Sequence, residues 1–370
     1  MGEHSDHLLE KQLEDTVQTA IADGVFPGIE ILVARRKKIL YHRSFGIKNP
    51  QKPEETLKRN ALFDLASLTK PLATALAAMC LIDKGRLRLE DRVKRFLPEW
   101  QQPGIEAVTI KHLLTHSSGL PDWAALFQPD FDKEHGWQIL QTLPLVYPTG
   151  KKTVYSCLGF IALAEIIRRI SGVTLNDFCQ ANLYKPLGIE TLMFNPKQNM
   201  PDGDFVPTGY CPLRKLELKG IVHDENAALF DGEGGNAGLF GTALDIWKLC
   251  QLFVERPLAS GPAILSLQQI ETMISNHNPL PLEPRGLGWD YKTGYADYWS
   301  CSDVMPAGSI GHLGFTGTSL WLDPHSGLVI LLLSNRVILS REGNIPQMQA
   351  LRPFLHKLII SRFYAPSVNY

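Results

Sequence analysis

Ser67-Leu68-Thr69-Lys70 puts a hydroxyl and an amine three residues apart. The Ala- and Leu-rich stretch Leu72 to Lys84 that follows, stopped by Gly85, predicts that both stand at the start of one helix. Residues i and i+3 share a helix face, so the lysine ammonium can lie beside the serine Oγ. A serine at a helix start also has an unpaired backbone N–H, and with the helix dipole behind it that N–H can point at an oxyanion. Nucleophile, base and half of an oxyanion hole can therefore come from four residues. About one or two chance matches to Ser-x-x-Lys are expected in a chain of 370 residues, so the surroundings of the motif have to carry the assignment.

Outward from that helix the chain changes period several times. Residues from about Leu8 to Asp23 carry apolar positions at helical spacing, and Ile29 to Ala34 and Ile39 to Phe45 follow as two strands. The basic run Arg35-Arg36-Lys37-Lys38 between them is a solvated hairpin turn. From there to about Pro212 the pattern is mostly helical: Thr109 to Thr115, Trp137 to Leu143, Leu158 to Ser171 and Leu175 to Leu183, joined by Pro- and Gly-containing loops. The glycine-rich segment Gly232 to Gly238 leads toward a helix capped by Thr242. Strand-like runs then dominate from Gly286 to Asn335, ending in Ser319 to Leu322 and Leu328 to Leu333 around the turn Asp323 to Gly327. An amphipathic helix, about Ile345 to Phe363, closes the chain. Strands at both ends with helices between them imply an α/β lobe of residues 1–79 and 213–370 and an inserted, mostly helical lobe of residues 80–212, with the active site in the cleft between them.

The composition, 44% hydrophobic and 20% charged, allows a large buried core. The 37 basic and 38 acidic side chains nearly cancel, so no global field draws nucleic acid or an anionic membrane, and the expected partner is a small molecule. Cys80, Cys157, Cys179, Cys211, Cys250 and Cys301 are scattered, with neither a C-x-x-C pair nor zinc-ligand spacing, which fits isolated core thiols. Leu328 to Leu333 is far too short to span a bilayer, and no membrane anchor is expected. Met1 to His7 lacks a basic n-region and an apolar h-region, so the chain as written is expected in the cytoplasm, or in the periplasm or outside the cell if a signal has been removed.

A Ser-Lys hydrolase needs a group that relays the lysine's proton and protonates the leaving atom. Tyr155, on the loop Tyr147 to Cys157 that ends where a helix begins, is the candidate phenol. The third candidate segment is Gly311-His312-Leu313-Gly314-Phe315-Thr316-Gly317-Thr318-Ser319, whose small residues let a substrate lie close to backbone N–H groups. Other chemistries fit less well. His112 and His116 lie four apart on a predicted helix, but no H-E-x-x-H glutamate or third ligand accompanies them, so no metal site is expected. Gly232 to Ala237 matches G-x-G-x-x-A without a leading strand or a βαβ unit, and there is neither a G-x-S-x-G elbow nor a P-loop. No cofactor is expected.

In this order along the chain, Phe63 to Lys70, His112 to Pro121, Tyr155-Ser156-Cys157, Lys185 to Ile189, Val222 to Ala227, Gly235 to Thr242 and Gly311 to Ser319 resemble the serine β-lactamase and penicillin-binding-protein superfamily. The likeness is to its class C-like branch of esterases and D-amino-acid peptidases, and it covers nearly the whole chain. It implies an α+β fold with a central antiparallel sheet flanked by N- and C-terminal helices. It also implies Ser67 as nucleophile, with Lys70 and Tyr155 sharing base and proton-relay work. His312 stands where many relatives have the lysine of Lys-Thr-Gly and would hydrogen-bond near the Tyr155 phenol. The oxyanion hole would pair the N–H groups of Ser67 and Phe315. Cys157, Trp123, Asn236 and Gly314 are the expected lining residues.

Two departures bear on substrate. Cys157 replaces an asparagine that holds the substrate amide in β-lactamases of this class, and a thiol is a poor replacement donor. His312 removes a cation that would attract a carboxylate. Both point toward a small ester, amide or short peptide, with weak or no β-lactamase activity. The alternative is a catalytically weak protein that binds a peptidoglycan-type or acyl ligand.

Overall fold

The structure, a computed structural model, describes residues 2–128, 130–255, 264–294 and 300–364. The two N-terminal strands predicted from the sequence appear as Gly28–Arg35 and Lys38–Asn49, and they pair with the C-terminal strands in one antiparallel sheet of seven. Across that sheet the order is Lys52–Thr56, Lys38–Asn49, Gly28–Arg35, Leu328–Ser334, Ser319–Asp323, Ile310–Leu313 and Asp290–Tyr291. Gly28–Arg35 and Leu328–Ser334 sit side by side at its centre, with Ile31 opposite Leu332, and both are almost wholly buried. Asp323 makes the turn to the last strand: its carboxylate accepts the His325 and Ser326 N–H groups, and Gly327 adopts φ +79.

Alternation along these strands sends successive side chains to opposite faces. Leu32, Leu320, Leu322, Val329, Leu331 and Leu333 face the large apolar cluster that also holds the central helices. Ile29, Ile31, Val33, Ile330 and Leu332 face a second cluster, closed by Leu13 and Val17 of the helix Gly2–Ala22 and by Leu355, Ile359 and Phe363 of Ile345–Phe363. The antiparallel sheet between terminal helices is the arrangement that the resemblance implies. The helices predicted between Thr109 and Leu183 form as Ile110–Leu114, Lys133–Thr142, Cys157–Ser171 and Leu175–Cys179, the last continuing as a π-helix through Tyr184.

The nucleophile segment departs from the single α-helix that was expected. Ala66–Leu68 is a 3₁₀ turn, Lys70–Ala75 a π-helix, and only Leu76–Asp83 is α-helical. Pro71, which lacks an N–H, falls inside the π segment and gives a physical reason for the irregular ladder. Gly85 stops the helix at φ +67, as predicted. Ala66–Asp83 is long and apolar enough to cross a membrane by composition, yet 83% of it is buried within the fold. A small antiparallel sheet that the sequence did not suggest, Phe63–Asp64 with Leu239–Gly241 and Met193–Phe194, fastens the segment from below.

Candidate active site

The chain turns sharply into Ser67 because Ala66 takes the left-handed conformation, φ +46, at an intrinsic cost of about 1–2 kcal/mol. The turn is held at several points. The Ala66 N–H donates to Asp64 Oδ1 at 2.8 Å, and the Thr69 hydroxyl donates to the Ala66 carbonyl at 2.6 Å. One 3₁₀ turn later Lys70 points back, fully buried, with Nζ 3.1 Å from Ser67 Oγ. The same ammonium donates to the Asn236 carbonyl at 2.9 Å and contacts Cys157 Sγ at 3.5 Å. Glycine at 235 brings the Asn236 segment in, since a Cβ there would lie 2.5 Å from that of Ala164.

Tyr155 reaches this cluster from the start of the helix Cys157–Ser171, whose N-cap is Ser156. Its phenol is within the electrostatic reach of both Lys70 and Ser67, and the Lys70 ammonium lies 4.8 Å from its ring centroid. Two histidines flank the tyrosine. His116 packs on one side with ring centroids 4.6 Å apart, and His312 on the other at 5.8 Å.

On the opposite wall, the strand Ile310–Leu313 ends in Gly314 and Phe315. A Cβ at Gly314 would fall 2.7 Å from the Leu65 carbonyl and 2.0 Å from the Thr318 hydroxyl, so only glycine lets this strand end lie against the nucleophile turn. Among the described residues, neither the Ser67 nor the Phe315 N–H donates to another backbone group. A serine hydroxyl, a lysine, a phenol and two backbone amides without a backbone acceptor therefore converge on one place.

The family model described as Beta-lactamase matches residues 13–350. The chain belongs to the β-lactamase family. Over 362 residues it is 28% identical to a protein of Bacillus subtilis (strain 168) described as an N-acetylmuramyl-L-alanine amidase, covering 88% of this chain and 80% of that one. Over 352 residues it is 26% identical to a putative D-alanyl-D-alanine carboxypeptidase of Escherichia coli (strain K12), covering 85% and 79%. In fold it is similar to the octameric penicillin-binding protein homologue from Pyrococcus abyssi, with a TM-score of 0.73 and 23% identity over 95% of this chain and 77% of that one.

Within this β-lactamase-family site the charges sort by burial. Burial raises the Tyr155 phenol above its ordinary range, opposed by Lys70. For Lys70, burial lowers the amine, but Cys157 and Tyr155 outweigh it and the net shift is upward. Burial also raises the Cys157 thiol. Burial thus keeps the phenol and the thiol protonated, and the upward shift of Lys70 belongs to states in which one of them carries negative charge. His312 is pushed down to about 3 by burial and by Lys70, and His116 is also well below its usual value through burial. Both imidazoles are neutral.

Several sequence expectations need adjusting. His312 does not hydrogen-bond to the phenol. Its Nδ1 pairs with the Leu313 carbonyl at 2.7 Å, while its buried Nε2 has no hydrogen-bond partner, so it acts as a packed neutral wall. His112 and His116 do not share a helix face, because the helix ends at Leu114 and His116 adopts φ +56. His112 completes a capping box with Thr109, and His116 Nδ1 accepts the Ser156 N–H at 3.0 Å. Of the expected lining residues, Asn236 contributes its backbone carbonyl, while its amide donates to Asp224 Oδ1 at 3.2 Å. Cys157 touches Lys70 and Gly314 underlies the hole. Trp123 is 48% exposed, packed edge-on against Phe127. It follows Asp122, whose carbonyl holds the Cys157 N–H. Sequence reasoning missed His116 as a neighbour of Tyr155, and Asp64 altogether. His116 stood out only as half of a metal pair, and a lone aspartate three residues before a serine carries no pattern of its own.

Proposed function

We propose that the protein is a serine hydrolase that works through an acyl-enzyme on Ser67 and cleaves a small amide or ester. The observation that carries this reading is the 3.1 Å contact of Lys70 Nζ with Ser67 Oγ, with the Tyr155 ring 4.8 Å from the same ammonium. In the productive state the Lys70–Tyr155 pair has lost one proton. Ser67 Oγ attacks the carbonyl carbon and its proton passes to the pair. The N–H groups of Ser67 and Phe315 stabilise the oxyanion. Tyr155 then delivers the proton to the leaving amine or alcohol, and water enters by the reverse route to release the acid and regenerate Ser67.

The names of the relatives support an amide beside an alanyl residue as the natural scissile bond. Cys157 and the neutral His312 argue against efficient β-lactam hydrolysis, since neither supplies the amide donor or the cation that such substrates use in relatives. The test is intact-protein mass after exposure to a serine-reactive fluorophosphonate. It is paired with turnover of a short-chain p-nitrophenyl ester, a D-alanyl peptide, a muramyl-alanine amide and a chromogenic cephalosporin. One adduct per chain that Ser67→Ala abolishes, together with turnover of ester or peptide substrates, is the expected result. Ester or peptide turnover that survives Ser67→Ala overturns the proposal. Labelling of Ser67 with no turnover of any substrate leaves a ligand-binding protein in its place.

A further inference from the structure

Asp64 is 2% exposed and bonds to both sides of the proposed oxyanion hole. Its Oδ1 accepts the N–H of Ala66, the left-handed residue just before Ser67, at 2.8 Å. Its Oδ2 accepts the N–H of His223 at 2.7 Å. The His223 ring packs 5.9 Å from that of Phe315, the residue that carries the second oxyanion donor. The Asp64 carbonyl in turn accepts the hydroxyl of Thr316, the neighbour of Phe315, at 2.9 Å. The next carbonyl, Leu65, accepts the Thr318 hydroxyl at 3.2 Å. Phe315 is braced from behind as well, because Arg336 donates to its carbonyl at 2.8 Å and lies 4.9 Å from its ring centroid.

We infer that Asp64 is a positioning residue: its carboxylate ties the nucleophile turn to the Phe315 strand and so fixes the separation of the two oxyanion-hole amides. This rests on the assignment of Ser67 and Phe315 as those amides. A carboxylate can accept two N–H groups at once. Protonation removes the charge and makes one oxygen a hydroxyl, a weaker acceptor, so the bond to one of the two N–H groups weakens. Burial, assisted by the nearby Asp224 carboxylate, raises Asp64 to about 6, against the pull of its two N–H partners and of Arg214. Asp224 and Arg214 are the charged groups that act on it. His223 lies at about 4, lowered by burial and by Arg341, and His312 lies at about 3. The geometry therefore ties the hole to a group that gains its charge between mildly acidic and neutral pH, so kcat should rise as pH rises through about 6.

The experiment measures kcat and KM from about pH 5 to about pH 8 on a p-nitrophenyl ester for wild type, Asp64→Asn, Thr316→Val and Ser67→Ala, with rates divided by the number of sites titrated by fluorophosphonate. For Asp64→Asn the expected result is a fall in kcat per titrated site of about tenfold or more with KM within about threefold, and loss of the wild-type acid limb. Thr316→Val should lower kcat by a smaller factor while keeping the limb. A wild-type kcat without a limb near that value, or Asp64→Asn with wild-type kcat per site and an intact limb, overturns the inference. If Asp64→Asn yields no folded protein, the wild-type limb and the Thr316→Val rate decide it by the same criteria. Ester turnover surviving in Ser67→Ala sinks the nucleophile assignment instead, which separates the two failures.

Discussion

An ammonium has three N–H bonds, and Lys70 directs three contacts, at Ser67 Oγ, the Asn236 carbonyl and Cys157 Sγ. In that state it has no lone pair for the serine's proton. Lys70 and Tyr155 are both shifted upward, so the resting pair holds one proton more than the productive state. The sign of the pH effect follows: raising pH removes a proton from the pair and populates the competent form, so kcat/KM should climb with pH on the alkaline side. Tyr155→Phe removes the proton carrier and Lys70→Ala removes the cation that stabilises a phenolate. Each should lower turnover by a factor on the order of a hundred or more, and Tyr155→Phe should also abolish the alkaline rise. Near-normal steady-state rates in either variant would remove that residue from the mechanism. Replacement of the Lys-Thr-Gly lysine by a neutral His312 leaves Lys70 to supply the positive charge at the centre of the site, which is why its environment governs the pH response.

At the scale of elements, the end of the strand Ile310–Leu313 and the turn Ala66–Leu68 nearly touch at Gly314, and the proposed hole depends on that approach. Gly314→Ala would drive a Cβ to 2.7 Å from the Leu65 carbonyl, pushing the Phe315 N–H away from Ser67. A loss of kcat on the order of a hundredfold with modest change in KM is expected from steady-state kinetics. An unchanged kcat would place the second donor elsewhere. What the sequence disclosed at this scale followed from strong periodicity. The strands Gly28–Arg35 and Leu328–Ser334 are continuous apolar runs, and the cap at Thr242 and the stop at Gly85 are chemical signals readable one residue at a time. Motif order likewise brought Ser67, Lys70, Tyr155 and Phe315 onto one list. The three-residue strand Leu239–Gly241 was invisible because so short a segment has no period, and its pairing with Phe63–Asp64 is set wholly by tertiary contact. The switch from 3₁₀ to π geometry after Ser67 was hidden for a related reason, since the composition of Leu72 to Lys84 is equally good for a regular helix. His312 was misjudged in its hydrogen bond because nothing in the sequence tells which way an imidazole turns: the Leu313 carbonyl, one residue away, captured its Nδ1.

At the scale of the whole molecule, a carboxylate held in the interior for the sake of the hole is a stability cost. Asp64 titrates near 3.8 in an unfolded chain and at about 6 in the fold, so the folded state holds its proton more tightly. The contribution of this group to stability is complete below the unfolded value and is lost as pH rises through the folded one, amounting to about 3 kcal/mol. Denaturant melts should show the stability of wild type relative to Asp64→Asn falling by about that amount between about pH 4 and about pH 7. A difference that does not vary with pH would show that Asp64 titrates normally. The largest architectural commitment lies elsewhere, in the pairing of Gly28–Arg35 with Leu328–Ser334 at the centre of the sheet. A ribosome makes the first of these strands long before the second, and during that interval one edge of a nearly all-apolar strand has no neighbour to bond with. The central sheet cannot close on the growing chain, so a nascent polypeptide of this sequence needs shielding from its own kind until residues 328–334 have been made.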